Sequence, residues 1–114
     1  MAVMHVENGS SRWLVVWLEP FGEDRWLERG EMVCIRTDNV GEELAFNVET
    51  HATEEERAAG IENMTIYIEN CSLYADVTDR DGNVVECGHK RPEEIDREWA
   101  ARRAAAEEEL SRMP

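Results

Sequence analysis

The chain predicts a mainly β domain, an antiparallel β-sandwich or barrel of seven to eight short strands with one C-terminal α-helix. Three observations carry that expectation. Apolar and polar residues alternate over short segments, which is the period of a half-buried strand. Turn dipeptides recur between those segments. From Pro92 onward the apolar period lengthens to roughly 3.6, that of a helix. The organisation that follows is a β domain over 1–91 and a helix over 92–114.

Val3 to Glu7 reads as a first strand, and Asn8-Gly9 as a type I′ hairpin turn, since both residues tolerate positive φ. Trp13 to Leu18 is apolar at every position, as in a central strand with Trp13, Val15 and Trp17 on one face and Leu14, Val16 and Leu18 on the other. Pro20 and Gly22 end it. Trp26-Leu27 is a short extended piece, and Arg29-Gly30 turns the chain into Met32 to Thr37. Leu44 to Thr50 alternates, with Leu44, Phe46 and Val48 inward. Met64 to Glu69 does so with Met64, Ile66 and Ile68, and Leu73 to Thr78 with Leu73, Ala75 and Val77. Asp81-Gly82 supplies a hairpin turn into Asn83 to Cys87.

Two segments leave the β pattern. Thr53 and Glu56 stand at capping-box spacing, so Thr53 to Ala59 is expected to form one or two helical turns ended by Gly60. Pro92 suits the first turn of the last helix, and Glu93, Glu94 and Asp96 complement its positive end. Ile95, Trp99, Ala106, Leu110 and Met113 form its apolar stripe, and Glu93–Arg97, Glu98–Arg102 and Glu108–Arg112 are favourable i,i+4 pairs. Ile95 and Trp99 can anchor the first half. The distal half is mostly Ala, Glu and Arg, so it either projects into solvent or meets another chain through Leu110 and Met113.

The 114 residues carry a net charge of −14, and the acids are not confined to a tail. Residues 1–50 hold 10 acids against 4 bases, residues 51–92 hold 9 against 4, and residues 93–114 hold 7 against 4. Such a surface repels nucleic acid and anionic membrane and attracts basic proteins. The first eight residues lack the basic and apolar regions of a signal peptide. The longest apolar run is far too short to span a bilayer. Cys34, Cys71 and Cys87 are an odd set without scaffold-like spacing, which suits reduced thiols in a cytoplasm.

Residues that could carry chemistry are present but badly spaced for it. Cys87-Gly88-His89 with Cys34, Cys71, His5 and His51 offers thiolate and imidazole, yet no C-x₂₋₄-C pair of a structural zinc site and no closely spaced copper loop. A nucleophilic Cys–His pair would need an elbow or an oxyanion loop, and neither is written in the chain. Asp76 to Gly82 places Asp at alternate positions like a calcium loop but lacks the bidentate Glu, so it reads as a strand entering a turn. No catalytic residue, metal site or cofactor is therefore assigned.

The aromatic residues are more informative. Tyr67 and Tyr74 fall on the outward side of neighbouring predicted strands, and Trp26 lies in a charged segment, Glu23-Asp24-Arg25-Trp26. Exposed Tyr and Trp ringed by Glu23, Asp24, Glu69 and Asp76 would make a protein-binding patch. The competing reading is that the C-terminal helix covers this face, with Trp99 on the tyrosines.

The stretch Trp17-Leu18-Glu19-Pro20-Phe21-Gly22-Glu23-Asp24, followed by Leu27 and Gly30-Glu31, resembles a pattern in small uncharacterised bacterial β-sandwich proteins. The resemblance covers about fifteen residues and implies a β-sandwich-like start with no activity attached. In size and charge alone the chain is similar to acidic immunity proteins and to phage-encoded anti-CRISPR or anti-restriction inhibitors that mimic nucleic acid. The functional expectation is a non-catalytic module that binds and neutralises a basic protein. An assembly role through Ile95, Trp99, Leu110 and Met113 is the alternative, and a metal-dependent activity around Cys87 and His89 the third reading.

Overall fold

The computed structural model describes residues 1–38, 44–69 and 74–113. Among them lie seven strands and two helices: β1 (Ala2–Glu7), β2 (Trp13–Glu19), β3 (Glu23–Glu28), β4 (Met32–Thr37), β5 (Phe46–His51), α1 (Glu54–Ala58), β6 (Ile61–Ile68), β7 (Asp76–Thr78) and α2 (Glu93–Ser111). The strands form a three-stranded sheet, β1-β4-β7, and a four-stranded sheet, β3-β2-β6-β5. The mainly β architecture with a C-terminal helix is the one the sequence predicts. One pairing departs from it: β2 and β6 run parallel, with Trp13 opposite Ile61 and Trp17 opposite Thr65. The segment joining β2 to β6 is long and contains its own helix, which is what a parallel return requires.

Alternation places Leu14, Val16 and Leu18 of β2, Leu27 of β3 and Ile66 of β6 on one side of the larger sheet. Val6, Val33, Ile35 and Val77 of the smaller sheet meet them there. Leu18, Leu27, Ile35 and Ile66 are almost fully excluded from water, and burial of each stabilises the fold by about 2 kcal/mol relative to exposure. Met64 and Ile68 also pack on this core, as expected of them.

Several local expectations change. Asn8-Gly9 does not close a hairpin, because β1 pairs with β4 while β2 pairs with β3. Asn8 is instead the buried post of a crossing between sheets. Its side-chain amide donates to the carbonyls of Ser11 and Leu27, both at 2.9 Å, and its carbonyl accepts from the Ser11 N–H. The residue is chosen for its side-chain hydrogen bonds, not for positive φ. Leu44 is 63% exposed and Val48 faces partly to water, because β5 is the outer strand of its sheet and only Phe46 reaches the core. Asn83 to Cys87 makes a single bridge, Thr78 to Val84, and no strand. Asp81-Gly82 nonetheless turns there, with Gly82 at φ +85°. Leu73 and Cys71 lie outside the described residues.

Both helices begin where expected. Thr53 caps α1 in a reciprocal capping box with Glu56, and Gly60 follows at φ +78°. The missing Cβ of Gly60 also matters for packing, since one built there would sit 2.8 Å from the Cβ of Arg12. Helix α2 starts after Pro92. Only Ile95 and Trp99 of its apolar stripe are partly covered, and every described residue from Ala100 onward is exposed.

Candidate functional site

The outer face of the larger sheet carries Trp13, Val15 and Trp17 on β2, Asp24 and Trp26 on β3, and Ile61, Asn63 and Thr65 on β6, matched by strand register. Helix α2 is fastened over this face by Arg91, the second residue before the helix. Its Nε donates to Asp24 Oδ2 at 2.9 Å, one terminal nitrogen donates to Asp24 Oδ1, and the other donates to Asp96 Oδ1 at 2.8 Å. The same guanidinium lies 4.6 Å from the centre of the Trp99 ring, a cation–π contact as well as a bidentate ion pair. Gly88, at φ +82°, makes room for it, because a Cβ there would meet an Arg91 nitrogen at 3.2 Å.

Asp24 is therefore fully engaged. Its carboxylate also accepts from Trp26 Nε1 at 2.9 Å, and the Cys87 thiol faces it at 3.8 Å. Burial pushes the Asp24 carboxyl up, but the bonds from Arg91 and Trp26 and the Arg91 charge outweigh it and hold the group below its ordinary value. Residues just before Arg91 dock on β3 as an extra edge, with Trp26 N–H donating to His89 O and Gly88 N–H to Asp24 O. Beside them Glu31 accepts from Lys90 and sits 3.0 Å from His89 Nε2. Burial raises the Glu31 carboxyl, yet the backbone N–H of Glu28, His89 and Lys90 together bring it below normal.

This arrangement corrects the patch expected from the sequence. Trp26 is 4% exposed and Asp24 2%, so neither is available to a partner; both serve to hold α2. Glu23 is partly exposed and paired with Arg25, whose Nε donates to Val85 O. Tyr67 is on β6 of the larger sheet, whereas Tyr74 precedes β7 of the smaller one, so neighbouring strands do not present the two. Tyr74 is exposed, and its hydroxyl donates to Asp76 at 2.7 Å, which raises its own ionisation range. Glu69 and Asp76 are likewise exposed. The ring partner of Trp99 is Trp17, at 5.9 Å, where a tyrosine was expected.

Cys87 and His89 point to different carboxylates, Asp24 and Glu31. Among the described residues no group of three or more His, Cys, Asp or Glu is arranged to hold a metal ion. Cys34 is buried.

The sequence reading missed a groove between the two helices. It has a volume of about 560 Å³, within the range of ligand-sized pockets. On its sheet side lie Trp17 and the buried Trp26, beside Asn63, which accepts from Trp17 Nε1 at 3.0 Å. Glu55 and Glu56 of α1 form one wall, and Trp99, Glu98 and Arg102 of α2 form the other. Glu56 is fixed, accepting from the Thr53 N–H and from Asn63 Nδ2. These two bonds, in that order of weight, keep its carboxyl ionised below the ordinary range against a smaller opposing effect of burial. Arg102, the groove's one cation, is paired with Glu98. The lining is thus aromatic at the base and net acidic at the rim.

No family model, curated protein or solved structure matches the chain.

Proposed function

We propose that the protein is a non-catalytic, acidic binding module for a basic protein partner, acting in a cytoplasm. Its mode would be that of an immunity protein or of an inhibitor that offers carboxylates in place of phosphates. The observation that carries this reading is the fate of the few bases. Among the described residues, Arg25, Arg57, Arg80, Lys90, Arg91, Arg102 and Arg112 are held in ion pairs with carboxylates of the same chain. The excess of acids is left facing outward, on Glu54, Glu55, Glu93, Glu94, Glu107 and Glu109 among others. A rigid sheet and two helices present them, so the negative field has a fixed shape and steers a cationic partner.

The reading is tested by calorimetric titration with an Arg/Lys-rich synthetic peptide and with an acidic peptide of equal length. Expected is saturable one-to-one binding of the basic peptide alone, weakening steeply as salt approaches physiological strength, where the screening length is about 8 Å. Adsorption of many peptides without a stoichiometry would mean that the charge only solubilises the chain, and the reading would fall.

A second reading rests on α2. Leu110 is 65% exposed and Met113 60%, at a helical end whose described residues are all exposed. Assembly of two copies through this stripe would bury them. Sedimentation of the full chain against a Leu110→Glu, Met113→Glu variant decides it: a dimer that the variant abolishes supports assembly, and monomers in both exclude it. The described helices include none long and apolar enough to cross a membrane.

A further inference from the structure

The groove between α1 and α2 has a composition that singles out one kind of occupant. Its base is indole, its rim is carboxylate, and its volume exceeds that of a single side chain. We infer that it receives an arginine side chain, with a short stretch of flanking backbone, from the basic partner; this rests on the binding role proposed above and names the contact through which it would act.

Three features converge on guanidinium. The first is a precedent within the fold: Arg91 already lies 4.6 Å from the centre of Trp99 while bonded to two carboxylates. The groove repeats those ingredients, with Trp17 beside the already engaged Trp99 as indole and Glu55 and Glu98 as acceptors. The second is an unused acceptor. Glu55 is exposed at the rim, and among the described residues no side-chain ion pair or hydrogen bond engages it. The third is Arg102, which enters the groove from α2 and pairs with Glu98. It stands where an incoming guanidinium would compete for the same carboxylate. An exposed i,i+4 pair of this kind is weak, so exchanging it costs little. A lysine fits less well: its ammonium is compact and strongly hydrated, whereas a guanidinium stacks flat on indole and reaches two carboxylates with one rigid fork.

The test uses the full chain and three synthetic peptides, Gly-Arg repeats, Gly-Lys repeats and Gly-citrulline repeats, followed by the indole N–H resonances of Trp17 and Trp99. The arginine peptide should shift both resonances, bind about fivefold tighter than the lysine peptide, and far exceed the uncharged citrulline peptide. Glu55→Gln should weaken the arginine peptide about fivefold or more through loss of a charge-assisted bond. Glu109→Gln, which removes the same charge from the distal helix, should weaken it less than twofold. Equal effects of the two substitutions, or equal binding of arginine and citrulline, would overturn the groove as the receiving site. If the basic peptides still bind one-to-one in that event, the acidic-module reading survives without it. Absence of saturable binding by either basic peptide overturns both.

Discussion

The two faces of the β3-β2-β6-β5 sheet differ in what holds them. The inner face is mainly apolar, with Leu14, Val16, Leu18, Leu27 and Ile66 buried against the other sheet and Arg25, beside Val16, donating to Val85 O. The outer face is held by direction. Asp24 binds Arg91 and Trp26, Asn63 joins Trp17 to Glu56, and Trp99 rests on Trp17 between an arginine and an indole. Burial by area closes wherever it can. Hydrogen bonds fix a few points and leave the surface between them open, and it is on the outer face that a partner-sized groove remains.

The largest expected effect breaks the inner face. Leu18→Ala should cost about 2–5 kcal/mol, the lost transfer energy plus a cavity that strands fixed on both sides cannot fill. Denaturant unfolding followed by circular dichroism would register it as a lower midpoint with unchanged slope. A loss below about 1 kcal/mol would show that the two sheets repack freely and that the core is not what specifies the sandwich.

The next effect breaks the outer face. Asp24→Asn keeps the shape and an acceptor for Trp26 but removes the charge of the bidentate partner and leaves Arg91 its pair with Asp96, at a cost of about 1.5–3 kcal/mol. It should also change the pH profile. The folded Asp24 carboxyl titrates below its ordinary value of 3.8. Its contribution is therefore complete above that value and is lost as pH falls through the lower, folded one. The native chain should thus lose stability in that acid window by more than Asp24→Asn does. Parallel acid limbs would mean that the ion pair holds no differential protonation energy, and that α2 is fastened chiefly by its rings.

This contrast also explains how far the sequence could be read. The inner face announces itself, because W-L-V-V-W-L and M-T-I-Y-I carry the strand period in apolar residues alone. The capping box at Thr53 and the Pro92 start of α2 are equally local, and both helices begin where those residues place them. The outer face is written in residues whose meaning depends on a partner far along the chain. Glu23-Asp24-Arg25-Trp26 looks solvated by composition, yet Asp24 and Trp26 are buried on the outer face, where Arg91, 67 residues later, neutralises the carboxylate, and Arg25 is buried on the other face, held by Val85 O and Glu23. A strand-length segment with two opposite charges beside Trp-Leu was the available signal, since buried charges demand partners. Asn8 misled for a related reason: its turn propensity is real, but its side chain was needed to satisfy the backbone where the chain passes between sheets. The groove needed both helices in place and was not legible at all.

The smallest effect extends the comparison to α2 itself, whose first half belongs to the outer face and whose second half is exposed throughout. From Ala100 onward each described residue is exposed, and the pairs Glu98–Arg102 and Glu108–Arg112 are surface i,i+4 pairs. Removing residues 104–114 takes away none of the described buried groups, so the unfolding free energy should change by less than about 0.5 kcal/mol. Helical circular dichroism, in contrast, should fall by roughly the share of α2 removed. The fastening at Arg91, Ile95 and Trp99 lies wholly before the cut, so the indole resonance of Trp99 should stay in place. Protein concentration makes this measurement discriminating. If the truncated chain matches the full one when dilute but is less stable when concentrated, the distal half contributes through a second copy, as the assembly reading requires. Equality at every concentration leaves it as a solvated helix held by Ala, Glu and Arg propensity, carrying part of the negative field and none of the fold.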